Sequence, residues 1–149
     1  MVERSIVADE VAKELSPLLK KMGFKKKRLT WYKDTGDLTV VFNIQKSQWS
    51  NQEWYYNYGV AIHDLHKESI ESINNCDLEA RFVPATGKED IANHICELVS
   101  YLEFWVHSYG TMSNLLEEAR NQRLPLMTFA RARAYLSARL ASEQNYNNE

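Results

Sequence analysis

The sequence predicts an α+β fold in which helices cover an antiparallel sheet of about four strands. Two observations support this prediction: apolar residues change from a helical spacing to strict alternation near residue 28, and helical spacing returns near residue 88. The chain has 149 residues, of which 44% are hydrophobic and 26% charged. Because this length and composition are those of an ordinary globular domain, we expect a single domain over residues 1–149.

The first element is a predicted helix over residues 5–22. Its apolar residues recur at intervals of three and four: Val7, Val11, Leu15, Leu18, Leu19 and Met22. Gly23 ends it by adopting the left-handed conformation, and Phe24 folds back onto the last turn. Pro17 removes a backbone donor inside the helix, so we expect a kink there or a second start capped by Ser16.

Four strands follow, at about residues 28–33, 38–47, 53–63 and 77–83. The first two flank the turn Asp34–Asp37 and read as a hairpin. In the second strand Val40, Phe42 and Ile44 share one face, while Asn43 and Gln45 lie on the other. Pro84 stops the fourth strand, because proline cannot donate to a ladder.

The C-terminal part predicts three helices, at about residues 88–107, 111–121 and 125–141. Thr86 and Glu89 have the spacing of a capping box at the start of the first of these. Pro125 suits the first turn of the last helix, which would turn Phe129, Leu136 and Leu140 inward.

The charge is unevenly distributed although the net charge is only −2. Residues 1–33 carry +5, residues 34–110 carry −8 and residues 111–149 carry +1. This distribution argues against a general nucleic-acid or membrane coat and allows one local charged surface. Without a signal core or a long apolar run, the chain is expected in the cytoplasm. Cys76 and Cys96 lack the spacing of a disulfide framework or zinc ribbon.

No sequence motif points to catalysis. The five glycines are scattered singly, so they form no phosphate-binding loop, and no GxSxG elbow is found. His63 and His66 lie near Asp64, with Asp77 and Cys76 further along, but nothing fixes the third ligand that a zinc site needs. We therefore predict a non-enzymatic protein without metal or cofactor, and keep a hydrolase with a cleft near these histidines as a third hypothesis.

The second face of the predicted sheet gives six candidate partner-binding residues, which are Asn43, Gln45, Tyr55, Asn57, His63 and Arg81, and the aromatic-rich third strand adds Trp54. Amide, aromatic and guanidinium groups are typical of recognition surfaces. Aromatic residues are also dense from Trp49 to Tyr58, more than one sheet face easily buries. The alternative is a merely hydrated face, or one covered by the C-terminal helices.

The basic segment 20–28 carries six Lys or Arg residues and lies beside Trp31. It supports an alternative function, a nucleic-acid or nucleotide-binding module that uses Lys25, Lys26, Lys27, Arg28 and Trp31. The competing interpretation is a solvated loop, whose cations are favoured by the end of the preceding helix.

The order of several motifs resembles the bacterial domain-of-unknown-function 4304 family over about residues 8–120. The motifs are Leu-Lys-Lys-Met-Gly-Phe-Lys-Lys-Lys (19–27), Trp-Tyr (31–32), Gly-Asp-Leu (36–38), Asn-Ile-Gln-Lys-Ser (43–47) and Tyr-Gly-Val (58–60). The resemblance implies a small cytosolic α+β domain. It implies no activity and no catalytic residues, and it leaves the arginines after Pro125 without a role.

The leading hypothesis is therefore a protein–protein interaction module. In size, compartment and lack of catalytic motif the chain also resembles small bacterial immunity-type proteins, which neutralise a toxin by covering its site. The acidic middle segment favours a basic partner, because complementary charge speeds encounter. The sequence leaves the partner's identity and the oligomeric state open.

Overall fold

The structure, a computed structural model, describes residues 2–47, 53–68, 70, 72–87 and 89–147. Its elements in chain order are α1 (Val2–Lys21), β1 (Lys25–Lys27), β2 (Thr30–Asp34), β3 (Leu38–Lys46), β4 (Trp54–Ile62), β5 (Leu78–Phe82), α2 (Ile91–Tyr109), α3 (Met112–Arg120), β6 (Met127–Thr128) and α4 (Ala130–Asn147). Two short 3₁₀ turns, His63–Leu65 and Ile73–Asn75, lie between β4 and β5. None of the described helices is long and apolar enough to cross a membrane.

The α+β class is confirmed, but the sheet formed by the described residues has six strands rather than about four. The strands follow one another in chain order, β1 to β6, and every neighbouring pair is antiparallel. The first missed strand, β1, consists of three exposed lysines and so shows no apolar alternation. The other, β6, has only two residues, too few for any period to be visible.

One face of the sheet and all four helices enclose the main core. As predicted, Val40, Phe42 and Ile44 point to this side, and so do Tyr56 and Tyr58 of β4. Two hydrogen bonds tie α2 to the middle of β4: the Tyr58 hydroxyl donates to Leu98 O at 3.0 Å, and Trp105 Nε1 donates to Gly59 O at 3.1 Å. We call this the helix side of the sheet.

The end of α1 matches the prediction, whereas its middle does not. Gly23 has φ +94°, and the Phe24 and Gly23 amides donate to Leu19 O and Lys20 O, which closes the helix. The helix runs through Pro17 without a second start. Ser16 does not cap it either, because its hydroxyl donates to Ala12 O at 2.7 Å, one turn earlier.

Two predicted helix starts are wrong. Helix α2 begins at Ile91 and is capped by Asp90, because Thr86 is engaged elsewhere: its amide donates to Glu97 and its carbonyl oxygen lies 2.9 Å from His94 Nδ1. Helix α4 begins at Ala130, so Pro125 lies in the connection before β6. Phe129 precedes the helix and is 40% exposed rather than turned inward.

The opposite face, which we call the open face, is not covered by the described C-terminal helices. A small apolar cluster of Val41, Ala61, Ile70 and Cys76 closes only its centre, with Tyr32 and Ile73 at the border. Gly59 is required under this cover, because a Cβ there would lie 2.5 Å from Cys76 Sγ. The remainder of the open face is polar.

Candidate partner-binding surface

A row of polar residues crosses four strands of the open face. The strand register places Thr30 opposite Asn43, Asn43 opposite Asn57, and Asn57 opposite Arg81. Directly opposed residues on one face are neighbours in an antiparallel sheet, so their side chains can bond to one another. We call these four residues the polar row.

The side chains of the polar row form one continuous hydrogen-bond chain. Asn43 Nδ2 donates to Thr30 Oγ1 at 2.9 Å, and Asn57 Nδ2 donates to Asn43 Oδ1 at 3.1 Å. At the far end Arg81 Nε donates to Asn57 Oδ1 at 3.2 Å. Asn57 also donates to Gln45 Oε1 at 2.9 Å and is only 8% exposed, so it is the centre of the network.

The network holds Arg81 in a fixed position at the surface. Its guanidinium carbon lies 4.4 Å from the centroid of the Tyr55 ring, a cation–π contact. Arg81 is exposed, and within the described residues only its Nε atom has a hydrogen-bond acceptor. Its two terminal nitrogens therefore offer a planar fork to a carboxylate or phosphate group.

Five predicted partner-binding residues are thus brought together, namely Asn43, Gln45, Tyr55, Asn57 and Arg81. Trp54 is not among them: it lies on the helix side, is 7% exposed and donates from Nε1 to the Tyr56 hydroxyl at 2.8 Å. Trp49, counted in the aromatic density, lies outside the described residues. Among the predicted aromatic anchors that the structure describes, Tyr55 is the one that lies on the open face beside Arg81.

His63 lies apart from this group, beyond the apolar cluster. Its Nε2 is 2.7 Å from Thr39 Oγ1, and both residues border a cavity of about 510 Å³ together with Tyr32 and Lys25. A cavity bordered by a hydrogen-bonded histidine and by charged side chains of both signs suits a polar ligand. It does not extend the polar row.

Strand β1 connects the basic segment with the open face. Its register places Lys25 opposite Tyr32 and Lys27 opposite Thr30, so both lysines extend from the same face as the polar row. Lys26 projects to the helix side, where its Nζ lies 5.3 Å from the Trp31 ring centroid. Arg28 turns the chain into β2 with φ 58°.

Trp31 cannot stack on a base in this structure, because it is 1% exposed. It packs in the helix-side core against Phe42 at a centroid distance of 5.5 Å. The nucleic-acid alternative therefore retains its cations and loses its predicted aromatic platform.

Several histidine and acid residues of the predicted cluster are engaged in hydrogen bonds, and the buried Asp77 forms an ion pair with Arg131. Asp77 is fully buried and accepts from Arg131 Nε at 2.6 Å and from the Ile62 amide at 2.8 Å. His66 Nε2 lies 2.9 Å from the same carboxylate, while Asp64 accepts from the Tyr135 hydroxyl. In the described part of the chain no three His, Cys, Asp or Glu side chains are placed to share an ion.

A second buried polar chain, which no sequence pattern predicted, lies at the other end of the sheet. The Tyr56 hydroxyl accepts a hydrogen bond from Trp54 Nε1 and lies 2.8 Å from His94 Nε2. Burial raises the pKa of Tyr56 to about 12. These residues border a cavity of about 720 Å³ that also touches Phe82 and Pro84. A neutral hydroxyl held in this way stabilises the core and is a poor general base.

One member of the polar row, Thr30, was missed although the sequence contains the information needed to find it. If the turn Asp34–Asp37 pairs Asp34 with Thr39, the same register places Thr30 opposite Asn43. The pairing of Asp77 with Arg131 had no comparable signal, because the two residues are far apart in the chain and belong to different elements.

The comparisons with known proteins agree with the family indicated by the motifs. Neither the curated proteins nor the solved structures contain a match to this chain. The family model described as "Domain of unknown function (DUF4304)" matches residues 15–118, which include α1 from Leu15, strands β1 to β5, α2 and most of α3. That match covers more than half of the chain, and the protein therefore belongs to the DUF4304 family.

Proposed function

We propose that this protein is a non-enzymatic binding module that recognises a protein partner through the polar row, Gln45 and Tyr55. The single observation that supports this most strongly is the hydrogen-bond chain from Thr30 to Arg81, which fixes an exposed guanidinium against an aromatic ring. Arginine and tyrosine are among the residues that contribute most to protein–protein affinity.

Rigidity is the physical reason why this arrangement suits recognition. Ordering a free arginine side chain at an interface costs about 0.5–1.5 kcal/mol in lost rotamer freedom. Here Asn57 and Tyr55 already hold Arg81, so most of that entropy is lost on folding rather than on binding. The side chains of the polar row thus hydrogen-bond to one another and leave the terminal nitrogens of Arg81 for a partner that supplies a hydrogen-bond acceptor.

The charge of the surface changes the expected chemistry of the contact. Arg81 is the one formal charge of the polar row, and Lys25 and Lys27 lie on the same face. The acidic character of residues 34–110 is therefore not concentrated in the row, and the group that meets Arg81 is an acid. We retain the narrower proposal of a cytoplasmic bacterial immunity-type protein, whose toxin would contribute that acidic group.

The test begins with the partner. Tagged protein is used to capture proteins from its source lysate, and the captured protein is purified and titrated calorimetrically against single variants. Arg81→Ala and Tyr55→Ala are each expected to weaken binding by about 2 kcal/mol, the threshold of a hot spot. Asn57→Ala should weaken it less, because Asn57 acts by holding Arg81.

Arg120→Ala is the matched control, since Arg120 is an exposed arginine on α3 that pairs with Glu117. It should leave the affinity unchanged. If Arg81→Ala and Tyr55→Ala bind the purified partner as tightly as the native protein, the site is misplaced. For an immunity protein, co-expression should also protect cells from the partner, and Arg81→Ala should reduce this protection.

A nucleic-acid-binding module is the second candidate, favoured by the position of Lys25 and Lys27 on the polar face. It predicts that log K falls with log salt by about 0.7–0.9 for each phosphate neutralised. Lys25→Ala should reduce that slope by close to one contact in a gel-shift or fluorescence titration. No retardation of single- or double-stranded nucleic acid at low salt would exclude this candidate.

A further inference from the structure

The sheet ends in an incomplete edge at β5. Strand β6 pairs only with Leu78 and Glu79, whereas β5 continues to Phe82. Among the described residues, none pairs with the outer edge of residues 80–82. An unpaired edge of this kind is a template for another strand.

The orientation of the backbone at this edge follows from the hydrogen bond at the start of the pairing between β5 and β6. The Phe129 amide donates to Asp77 O, so the outward-facing residues of β5 alternate from Asp77 through Glu79 to Arg81. Glu79 faces Met127 of β6, but Arg81 lies beyond the end of that strand. The backbone N–H and C=O of Arg81 thus face outward, next to the residue whose side chain ends the polar row.

Exposed apolar side chains surround the same edge. Of the six large hydrophobic residues that are exposed in the described chain, five lie in β6, in the residues next to β5 or β6, or on α2: Val83 (75%), Phe104 (51%), Leu126 (100%), Met127 (54%) and Phe129 (40%). Phe104 belongs here because a groove of about 400 Å³ joins it to Tyr101 and Phe82. The Phe82 and Tyr101 rings stack at 4.4 Å and form the floor of this groove.

We propose that an extended segment of the protein partner adds to β5 as a further strand, with an acidic side chain opposite Arg81 and apolar side chains on either side of it. This inference rests on the proposed function and specifies the partner's contacting segment. Successive side chains of a strand point to opposite faces. The residue paired with Arg81 therefore lies on the open face beside its guanidinium fork, and its neighbours lie over the groove of Phe82 and Phe104.

Charge argues for a different chain rather than a second copy of this one. A symmetric antiparallel pairing centred on Arg81 would place two guanidinium groups directly opposite each other, and like charges in that position are destabilising. An acidic residue at the same position forms a charge-assisted pair with the free nitrogens of Arg81. The edge is thus suited to main-chain hydrogen bonding, with one acidic position and an apolar position on either side of it for specificity.

The test uses a random-peptide phage library panned on the full-length protein, followed by synthesis of the enriched peptide with blocked ends. We expect the enriched peptides to alternate apolar and acidic residues. Binding should shift the backbone amide resonances of Arg81 and Val83 and slow their hydrogen exchange. Peptides that perturb other regions, or a library that yields no binder, would overturn the proposal.

Two edge variants and one control make the test specific. Val83→Pro removes the next backbone amide that faces outward, and Phe104→Asp places a charge in the groove. Each substitution should lower the affinity for the peptide roughly tenfold, which is the effect of losing one to two net hydrogen bonds or a comparable apolar contact. Val83→Thr retains the amide and should bind within about twofold of the native protein. Equal binding by Val83→Pro and Val83→Thr would overturn strand addition.

The same variants separate this inference from the proposed function. A purified natural partner that loses affinity with Tyr55→Ala but binds Val83→Pro as tightly as the native protein would preserve the proposed function and overturn strand addition. Loss with both variants supports both, and loss with neither overturns both. Sedimentation of the protein alone completes the test, since a dimer abolished by Val83→Pro would show that a second copy occupies the edge.

Discussion

Replacing Asp77 tests whether one buried carboxylate fastens the last helix to the sheet. Asp77 is fully buried, and its two oxygens accept from the Ile62 amide, from Arg131 of α4 and from His66. Helix α4 follows the segment matched by the family model, so this contact joins a part of the chain outside the match to β4 and β5. Substitution of Asp77 is therefore expected to lower the free energy of unfolding.

The magnitude follows from what each substitution leaves behind. Asp77→Asn keeps one oxygen for the Ile62 amide but turns an amide nitrogen toward a neighbouring donor. A hydrogen bond to a charged group contributes about 1.5–3 kcal/mol, and the Arg131 side chain is half-exposed, so we expect a loss of about 2 kcal/mol. Asp77→Ala also leaves the buried Ile62 amide without an acceptor, which raises the loss to about 3–5 kcal/mol.

The assay is urea unfolding followed by tryptophan fluorescence and circular dichroism. Arg131→Ala should destabilise by about 1–2 kcal/mol, less than Asp77→Ala, because the arginine is partly hydrated and the aspartate retains two donors. In the double variant Asp77→Asn with Arg131→Ala, a coupling energy of about 1 kcal/mol or more is expected for residues in direct contact.

Arg120→Ala again supplies the control, because its contacts with Glu117 and Glu143 lie on the surface and should contribute less than about 1 kcal/mol. An Asp77→Asn protein whose unfolding midpoint equals that of the native protein would refute the reasoning. Additive effects of the Asp77 and Arg131 substitutions would show that the two residues act independently.

Three further predictions concern the core. Burial raises the pKa of Tyr56 from 10.0 to about 12, so this tyrosine ionises in the unfolded chain before it ionises in the folded protein. The free energy of unfolding should therefore fall as pH rises from 10 to 12, by up to about 3 kcal/mol from this residue. Tyr56→Phe should flatten that part of the stability–pH curve, and an unchanged curve would contradict the prediction. Gly59→Ala should lower the free energy of unfolding in urea by roughly 1–3 kcal/mol, because the new Cβ would lie 2.5 Å from Cys76 Sγ. An unchanged unfolding midpoint would show that the apolar cluster over the open face moves aside without cost. With a thiol reagent, the exposed Cys96 should react in the folded protein and Cys76 only on unfolding, because burial raises the pKa of the Cys76 thiol; equal rates for both would contradict the placement of Cys76.

Helix ends and strand faces, which depend on residues close together in the chain, were predicted correctly at several positions. Gly23 and Phe24 close α1 as expected, and Asn43 of β3 and Asn57 of β4 lie on the face of the sheet that their alternation predicted. Those two assignments were sufficient to place most of the candidate surface, because a period of two fixes the face once a strand is recognised.

The failures have tertiary causes. Three lysines form β1 because β2 offers them an edge, a condition invisible in the lysines themselves. Thr86 has the right spacing for a capping box, yet Glu97 and His94 bind its backbone from within α2, so Asp90 caps the helix instead. In both cases a contact made by another element decided the conformation.

The polar row and the basic strand were predicted as sites for two different functions, and the structure places them on one face. Lys25 and Lys27 extend from the edge that begins the row, and Arg81 ends it. A protein partner bound at Arg81 buries that fork and its stacked ring, so its affinity should depend on Arg81 and Tyr55 and only weakly on salt, because screening acts least on buried pairs. Nucleic acid bound along the lysines should show the opposite pattern, a steep salt dependence with little sensitivity to Tyr55. One titration of a captured ligand at two salt concentrations, repeated with Tyr55→Ala, therefore decides between the two uses of the same face.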